Sequence, residues 1–381
     1  MLQIDDNLIR QLLYSELRAD LLQKISNSLQ KIASSLEINY IELLLDDSRF
    51  IPIIFHKKTN PASPFILIQG AQHNEYNGTF GIIKFLYSKQ SESLLRWCEI
   101  TGGGFCIIPI LNVRGFLNPT KENKWGYFTK RPEYMKKDKI KINTNRYWDK
   151  TIDYEILNNS KSELPEENRL IGNFLLKLRK VKKNPRSQFI ILDFHETSLP
   201  YRFRKQMELR FNRDYSIKDH WLKRWILDTA LLYKGIPFTT KITKQVVELV
   251  KNALYELNKE IDEKTFYFLL YTPYSGSFAK YVSDKVEMQF KSRLWFSTKY
   301  YFYHKYPLNG CYCTANMNRP WLKALEIEAR KIFFNLQEER EKFEGMKSYK
   351  QYLINHLTLN SEIASKIIQS SIEYLQKDYK F

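Results

Sequence analysis

Two histidines and one glutamate in this chain have the types and surroundings of metal ligands. His73 and Glu75 follow one short apolar run, and His195 follows another. Two imidazoles and a carboxylate can form a three-ligand zinc site that leaves a fourth position open. Such a site can hydrolyse an amide bond if a further carboxylate transfers the protons. The sequence therefore offers His73, Glu75 and His195 as ligands of one Zn²⁺ ion.

Each of these residues also has an interpretation without a metal. His73 can form ordinary hydrogen bonds in a loop, and Glu75 is favourable near the start of a helix. His195 can be a hydrogen-bonded core histidine. The metal interpretation gains weight because His73 and His195, two of six histidines in the chain, both stand shortly after apolar runs predicted as strands. Asp193 would face the same side of a continuing strand as His195, so it is a candidate supporting partner.

The scaffold is predicted from apolar runs that alternate with helical patterns. Runs of strand length occupy residues 51–55, 65–68, 105–111 and 189–193, and helical patterns begin near residues 78 and 166. This alternation predicts an α/β fold with a mixed, largely parallel central sheet and helices on both faces. Ligands bind beyond the carboxyl ends of the strands in such sheets, and His73 and His195 stand there.

Three parts are expected along the chain. Residues 1–48 are expected to form an N-terminal helical extension, 49–335 the catalytic domain and 336–381 a C-terminal helical appendage. Within the central part, residues 321–334 are amphipathic and are expected to pack on the sheet.

Composition narrows the class of protein. No apolar run approaches the roughly 20 residues needed to span a bilayer, and the acidic N-terminus does not resemble a secretion signal. The 4 cysteines show no disulfide framework, so a cytoplasmic protein is expected. The net charge is +18, but the basic residues fall in scattered short clusters without a nucleic-acid-binding motif. We therefore expect neither a dedicated nucleic-acid partner nor a membrane partner.

Two further segments could take part in hydrolysis. Asn145 and Arg146 together suit a substrate carboxylate, since a guanidinium binds both of its oxygens. Glu287 stands among alternating apolar residues and is predicted on a strand, where it could exchange protons with a metal-bound water. Glu248 is a competing candidate for that role.

The order of these segments resembles the zinc carboxypeptidases of the M14 type and their relatives, the succinylglutamate desuccinylase and aspartoacylase group. No single match is specific, but the matching segments follow one another in the family's order over roughly residues 50–330. These segments are Glu75-Tyr76-Asn77-Gly78-Thr79, Pro109 to Gly115, Asn143-Thr144-Asn145-Arg146, Asp193-Phe194-His195, and Ser275-Gly276-Ser277-Phe278 with Tyr281 and Glu287.

The resemblance implies a role for each matched residue. Glu287 would be the catalytic base and acid, Asn145 and Arg146 would bind the substrate carboxylate, and Arg131 would stabilise the oxyanion. Lys130 and Arg114 are alternatives to Arg131. The sequence departs from the family at the first ligand, because alignment on Glu75 puts Gln72 in the place of the family's first histidine.

The expected activity is removal of the C-terminal residue from a peptide by a metallocarboxypeptidase that contains one zinc ion. One alternative is an N-acyl amino acid amidohydrolase of the desuccinylase type. The other is an inactive relative that binds a peptide or a polyanion.

Overall fold

The structure is a computed structural model, and part of the chain is described. The described residues are 3–14, 17–73, 75–117, 144, 147–148, 164–197, 245, 248–249, 252, 266–271, 275–290, 293–298, 320–330 and 346–378.

The described residues form an eight-stranded sheet with the strand order β1-β2-β4-β3-β5-β8-β6-β7. Its central pairs, β4 with β3, β3 with β5 and β5 with β8, are parallel, whereas β1, β2 and β6 introduce antiparallel pairs. The strands are β1 (Asn39–Leu44), β2 (Phe50–His56), β3 (Phe65–Gln69), β4 (Gly104–Ile108), β5 (Phe189–Thr197), β6 (Phe266–Tyr271), β7 (Arg293–Thr298) and β8 (Leu322–Arg330).

Helices flank this sheet, and the predicted α/β fold class is confirmed. β3 and β4 are buried along their whole length, as parallel strands covered on both faces must be. The described helices are α1 (Asp6–Leu13), α2 (Arg18–Ser35), α3 (Asn77–Leu86), α4 (Gln90–Thr101), α5 (Val113–Leu117), α6 (Glu166–Leu178), α7 (Gly276–Phe290) and α8 (Met346–Asp378).

The terminal elements share the core of the central part. β1 adds a strand to the sheet beside β2, and apolar side chains of α1, α2 and α8 belong to the same buried cluster as those of β3 and β5. Gly81 of α3 lies so close to Ala364 of α8 that a methyl group on Gly81 would collide with it. The predicted boundaries near residues 48 and 335 stay predictions, and residues 331–345 lie outside the described residues.

Two stretches differ from their sequence patterns. The prediction of a strand around Glu287 is wrong, because Gly276–Phe290 is helix α7. Its buried residues Phe278, Val282 and Val286 recur every four positions, and this longer helical period prevails over the short alternation around Glu287. The amphipathic stretch that begins at residue 321 packs in the sheet itself, as β8.

Arg114 ties the strand layer to α6. Its guanidinium is buried and donates hydrogen bonds to Asp46 and Asp47 after β1 and to Glu166 and Glu167 at the start of α6, at donor–acceptor distances of 2.6–2.9 Å. Burial of the Asp47 carboxyl would raise its pKa, but Arg114 outweighs this effect and lowers it. These contacts give Arg114 a structural role, although the sequence left it as an alternative oxyanion residue.

Candidate metal centre

The candidate site lies at the carboxyl ends of β3 and β5. The chain leaves β3 at Gln69 and turns through Ala71, which has a positive φ of 47°. Backbone hydrogen bonds from Leu111 to Gly70 and from Asn112 to Ala71 hold this turn against the segment that follows β4. The turn therefore places His73 and Glu75 at the carboxyl end of the sheet, where His195 lies on β5.

Glu196 fixes this loop from the neighbouring strand. Its carboxylate accepts hydrogen bonds from the backbone N–H groups of Tyr76 and Asn77, both at 2.6 Å. These donors lie at the start of α3, where a negative charge is favourable because the N–H groups there lack helical partners. Close packing supports the same junction, since a methyl group on Gly78 would collide with Phe194 of β5.

The structure brings the three predicted ligands together. Their candidate ligand atoms all lie within 4.8 Å of one another. Nδ1 of His73 is 2.8 Å from Oε1 of Glu75, and Nδ1 of His195 is 3.4 Å from Oε2 of the same carboxylate. All three residues are buried, with 6%, 2% and 2% exposure for His73, Glu75 and His195.

This donor set fits a zinc ion. Ligand atoms at about 2.1 Å from a tetrahedral zinc ion are roughly 3.4 Å apart. The distance from His195 to Glu75 equals that separation, and the 2.8 Å distance from His73 to Glu75 is shorter. Two nitrogens and one carboxylate oxygen are also common zinc ligands. The cluster can thus close around one ion with small side-chain movements, despite the single residue between His73 and Glu75.

The charges of the cluster are those of a cation site. Burial alone would raise the pKa of Glu75, but the imidazoles of His73 and His195 hold it well below its usual value. Burial alone would lower the pKa of His195, but Asp193 and Glu75 raise it well above its usual value. Glu75 is therefore ionised, and its negative charge is available to a bound cation.

Asp193 has the supporting position expected from the sequence. Its Oδ2 lies 3.0 Å from Nε2 of His195, on the opposite ring nitrogen from the one that approaches Glu75. A carboxylate on the outer nitrogen of a ligand histidine orients the ring and makes the other nitrogen a better ligand.

Glu328 is a site residue that the sequence interpretation missed. It is the register partner of His195 across the parallel pair of β5 and β8. Burial raises its pKa to about 8, where His195 opposes the increase and Glu326, Glu75 and Asp193 add to it. The available signal was the alternation of Leu325, Ile327 and Ala329 with acidic residues, which is typical of a strand.

Of the other predicted site residues, Glu287 and Glu248 are described, and neither belongs to this cluster. Glu287 lies on α7, which packs against α8, β6 and β7, and Glu248 is exposed at a helical position. Arg131, Asn145 and Arg146 lie outside the described residues, as does Lys130.

The fold and these side chains define an α/β protein with a buried His-Glu-His candidate metal centre. No protein-family model matches the sequence, and no curated protein matches it. Within the described ranges, no helix is both long enough and apolar enough to cross a membrane.

Solved structures of metallopeptidases resemble the chain. Bovine thrombin-activatable fibrinolysis inhibitor, solved with tick carboxypeptidase inhibitor, is 12% identical with a TM-score of 0.47 over 94% of this chain and 97% of its own. A provisionally named metallopeptidase of Shewanella amazonensis SB2B is 12% identical with a TM-score of 0.47 over 93% of this chain and 93% of its own. Carboxypeptidase A of Helicoverpa armigera is 12% identical with a TM-score of 0.44 over 91% of this chain and 72% of its own.

Proposed function

We propose that this protein is a zinc-dependent hydrolase of amide bonds that removes the C-terminal residue from peptides. The observation that carries the proposal is the convergence of His73, Glu75 and His195 beside Glu328 at one edge of the sheet. This arrangement supplies three metal ligands and a separate carboxylate, which are the groups that metal-assisted hydrolysis requires.

The three ligands would hold the zinc ion and leave one position facing the substrate. A bound zinc ion supplies a positive charge that polarises the scissile carbonyl and lowers the pKa of water. His73 and His195 contribute neutral nitrogens and Glu75 a negative charge, so the bound ion retains net positive charge at the substrate. Because all three ligands are buried, little solvent screens that charge.

Glu328 would move the protons of the reaction. Its carboxylate, beside His195, can take a proton from the attacking water and return it to the leaving amine. Its raised pKa makes it a stronger base than an exposed glutamate, and a nearby metal charge would favour its ionised form. Glu328 therefore replaces Glu287 in the role that the sequence interpretation assigned to a late carboxylate.

Substrate recognition is proposed from the sequence. Asn145 and Arg146 would bind the C-terminal carboxylate, and Arg131 would stabilise the oxyanion. The net charge of +18 favours acidic peptides. The described cysteines Cys98 and Cys106 are free thiols, which supports the cytoplasm as the proposed location.

The test combines metal analysis with a matched substrate panel. Protein purified without chelators should contain about one zinc per chain and should release the last residue from peptides with a free carboxyl terminus. Peptides with an amidated terminus should react at least about tenfold more slowly, because they lack the charge that Arg146 binds. Zinc below about 0.1 equivalents together with no release from any peptide or N-acyl amino acid would refute the proposal.

A further inference from the structure

Gln72 is fully buried beside the candidate ligands but lies on the outer side of His195. We propose that Gln72, with Gln69, is a positioning residue that clamps Asp193 and thereby makes Nδ1 of His195 the metal-binding nitrogen. The proposal rests on the proposed metal site and adds residues that the hydrolytic mechanism does not use. It also explains why a glutamine can occupy the position that alignment on Glu75 assigns to a ligand.

Trp148 sets the orientation of the Gln72 side chain. The indole N–H of Trp148 donates to Oε1 of Gln72 at 2.7 Å. An indole nitrogen can only donate, so the atom facing it must be the amide oxygen. The amide nitrogen of Gln72 consequently points to the other side, where it donates to Oδ2 of Asp193 at 2.5 Å.

Gln69 holds the other oxygen of the same carboxylate. Its amide nitrogen donates to Oδ1 of Asp193 at 2.9 Å, and it is the register partner of Asp193 on β3. Both carboxylate oxygens therefore have an amide donor. Because Asp193 is buried, these donors replace the water that would otherwise solvate its charge.

The clamped carboxylate decides which nitrogen of His195 carries a proton. An ionised carboxylate only accepts hydrogen bonds, so Nε2 of His195, at 3.0 Å, must donate to Asp193. The lone pair of a neutral His195 is then on Nδ1, the nitrogen that lies 3.4 Å from Glu75. Asp193 thus accepts from Gln72 on one side and from His195 on the other, and Nδ1 of His195 is left facing the metal position.

The same geometry argues against Gln72 as a ligand. Both ends of its amide are engaged, and its nitrogen lies 3.3 Å from Nε2 of His195, behind the ring. His73, in contrast, places Nδ1 within 2.8 Å of Glu75. The ligand set of this chain is therefore built from His73, and Gln72 acts through Asp193.

The first experiment measures zinc affinity by competition with a chromogenic chelator. Gln72→Leu and Gln69→Leu should each weaken zinc binding by about 10–100-fold, the usual effect of losing support behind a ligand. Gln11→Leu is the matched control, since Gln11 is a buried glutamine of α1, and it should leave the affinity unchanged. Circular dichroism verifies that each variant is folded.

Substitutions at the two competing ligand positions give the sharpest contrast. His73→Ala should lower zinc affinity by more than about 100-fold, and Gln72→His should also lower it, because the clamp is lost. If Gln72→His tightens zinc binding while His73→Ala leaves it unchanged, Gln72 occupies a ligand position and the proposal is wrong. Wild-type affinity in both Gln72→Leu and Gln69→Leu would overturn it as well.

Nitrogen NMR on protein with ¹⁵N-labelled histidine identifies the bound nitrogen directly. In the zinc-loaded wild type, His195 should coordinate through Nδ1 and keep a slowly exchanging proton on Nε2, whereas in Gln72→Leu that proton should exchange faster. Zinc bound through Nε2 in the wild type would refute the clamp. A wild type that binds no zinc but keeps a slowly exchanging Nε2 proton would contradict the proposed function and not the Asp193 clamp.

Discussion

His195 on β5 and Glu328 on β8 are direct neighbours across a parallel strand pair. The register places a candidate ligand and a carboxylate of raised pKa side by side without any loop between them. Because both residues are held by strands, their separation is set by the backbone of the sheet. This rigidity suits two groups that, in the proposed function, act on the same water molecule.

Exchange of one acid for its amide tests this pairing. Glu328→Gln should lower kcat by about 10²–10⁴-fold, because the amide cannot accept the proton of the attacking water. Zinc content should remain near that of the wild type, since Glu328 is not among the three clustered ligands. Glu287→Gln is the comparison, and peptide hydrolysis assays on both variants separate the two candidate acids. Loss of activity only in Glu287→Gln would show that the sequence interpretation was right and the assignment of Glu328 wrong.

Two glycines of α3 should respond differently to the addition of a methyl group. Gly78→Ala would push α3 away from Phe194, whereas Gly81→Ala would push it away from Ala364. Each change should cost about 1–3 kcal/mol of unfolding free energy, as overpacking in a core does. Zinc affinity should fall mainly in Gly78→Ala, because that glycine lies beside the loop carrying His73 and Glu75. Denaturant titration and chelator competition measure the two effects, and equal affinities in both variants would contradict this explanation.

Removal of the Arg114 guanidinium should strongly destabilise the protein. Arg114→Met leaves Glu167, which is fully buried, without its 2.9 Å ion pair, at a cost of about 3–5 kcal/mol. Arg49→Met is the control, because Arg49 pairs with Asp47 at 3.8 Å on the surface and should cost at most about 1 kcal/mol. Urea denaturation at neutral pH measures both values.

Acid should reduce the difference in unfolding free energy between the wild type and Arg114→Met. The pKa of Asp47 is lower in the folded protein, so its contribution to stability is complete above the unfolded pKa of about 3.9. That contribution disappears as the pH falls through the folded value. A difference that stays constant from pH 7 to pH 3 would show that Arg114 stabilises only through packing.

Lys58 should make stability increase with alkaline pH. Burial lowers the pKa of Lys58 to about 8, with added repulsion from Arg179 and Lys180. Between pH 8 and the unfolded value of about 10.4, the unfolded chain binds more protons, so stability rises with pH. Lys58→Met should therefore be more stable than the wild type at pH 7, by about 1–2 kcal/mol after allowance for screening, and the advantage should vanish near pH 11. Lys57 is exposed, so Lys57→Met should change the unfolding free energy little at either pH. Urea titrations measure both variants.

Short apolar runs in the sequence predicted the three candidate ligands, because each ligand lies close to the end of such a run. His73, Glu75 and His195 follow apolar strands, and the carboxyl ends of parallel strands meet at one edge. Glu328 could not be identified in this way, because its position beside His195 depends on the register between β5 and β8. The role of Gln72 likewise depends on Trp148, and no spacing rule in the sequence connects the two residues. The secondary structure around Glu287 was predicted wrongly, because five alternating residues resembled a strand inside a longer helical period.

β8 is the last described strand in the chain, yet it lies between β5 and β6 in the sheet. Until it is synthesised, the emerging polypeptide has one group of described strands ending at β5 and a second group, β6 and β7, and no described strand lies between them in the sheet. Pairing across such a distance in the sequence is slow compared with local helix formation. The strand that closes the sheet also carries Glu328, so a nascent chain would lack its proposed proton-transfer group until its core could be completed. If the proposed function is right, synthesis order would then delay hydrolytic activity until the last described strand is in place.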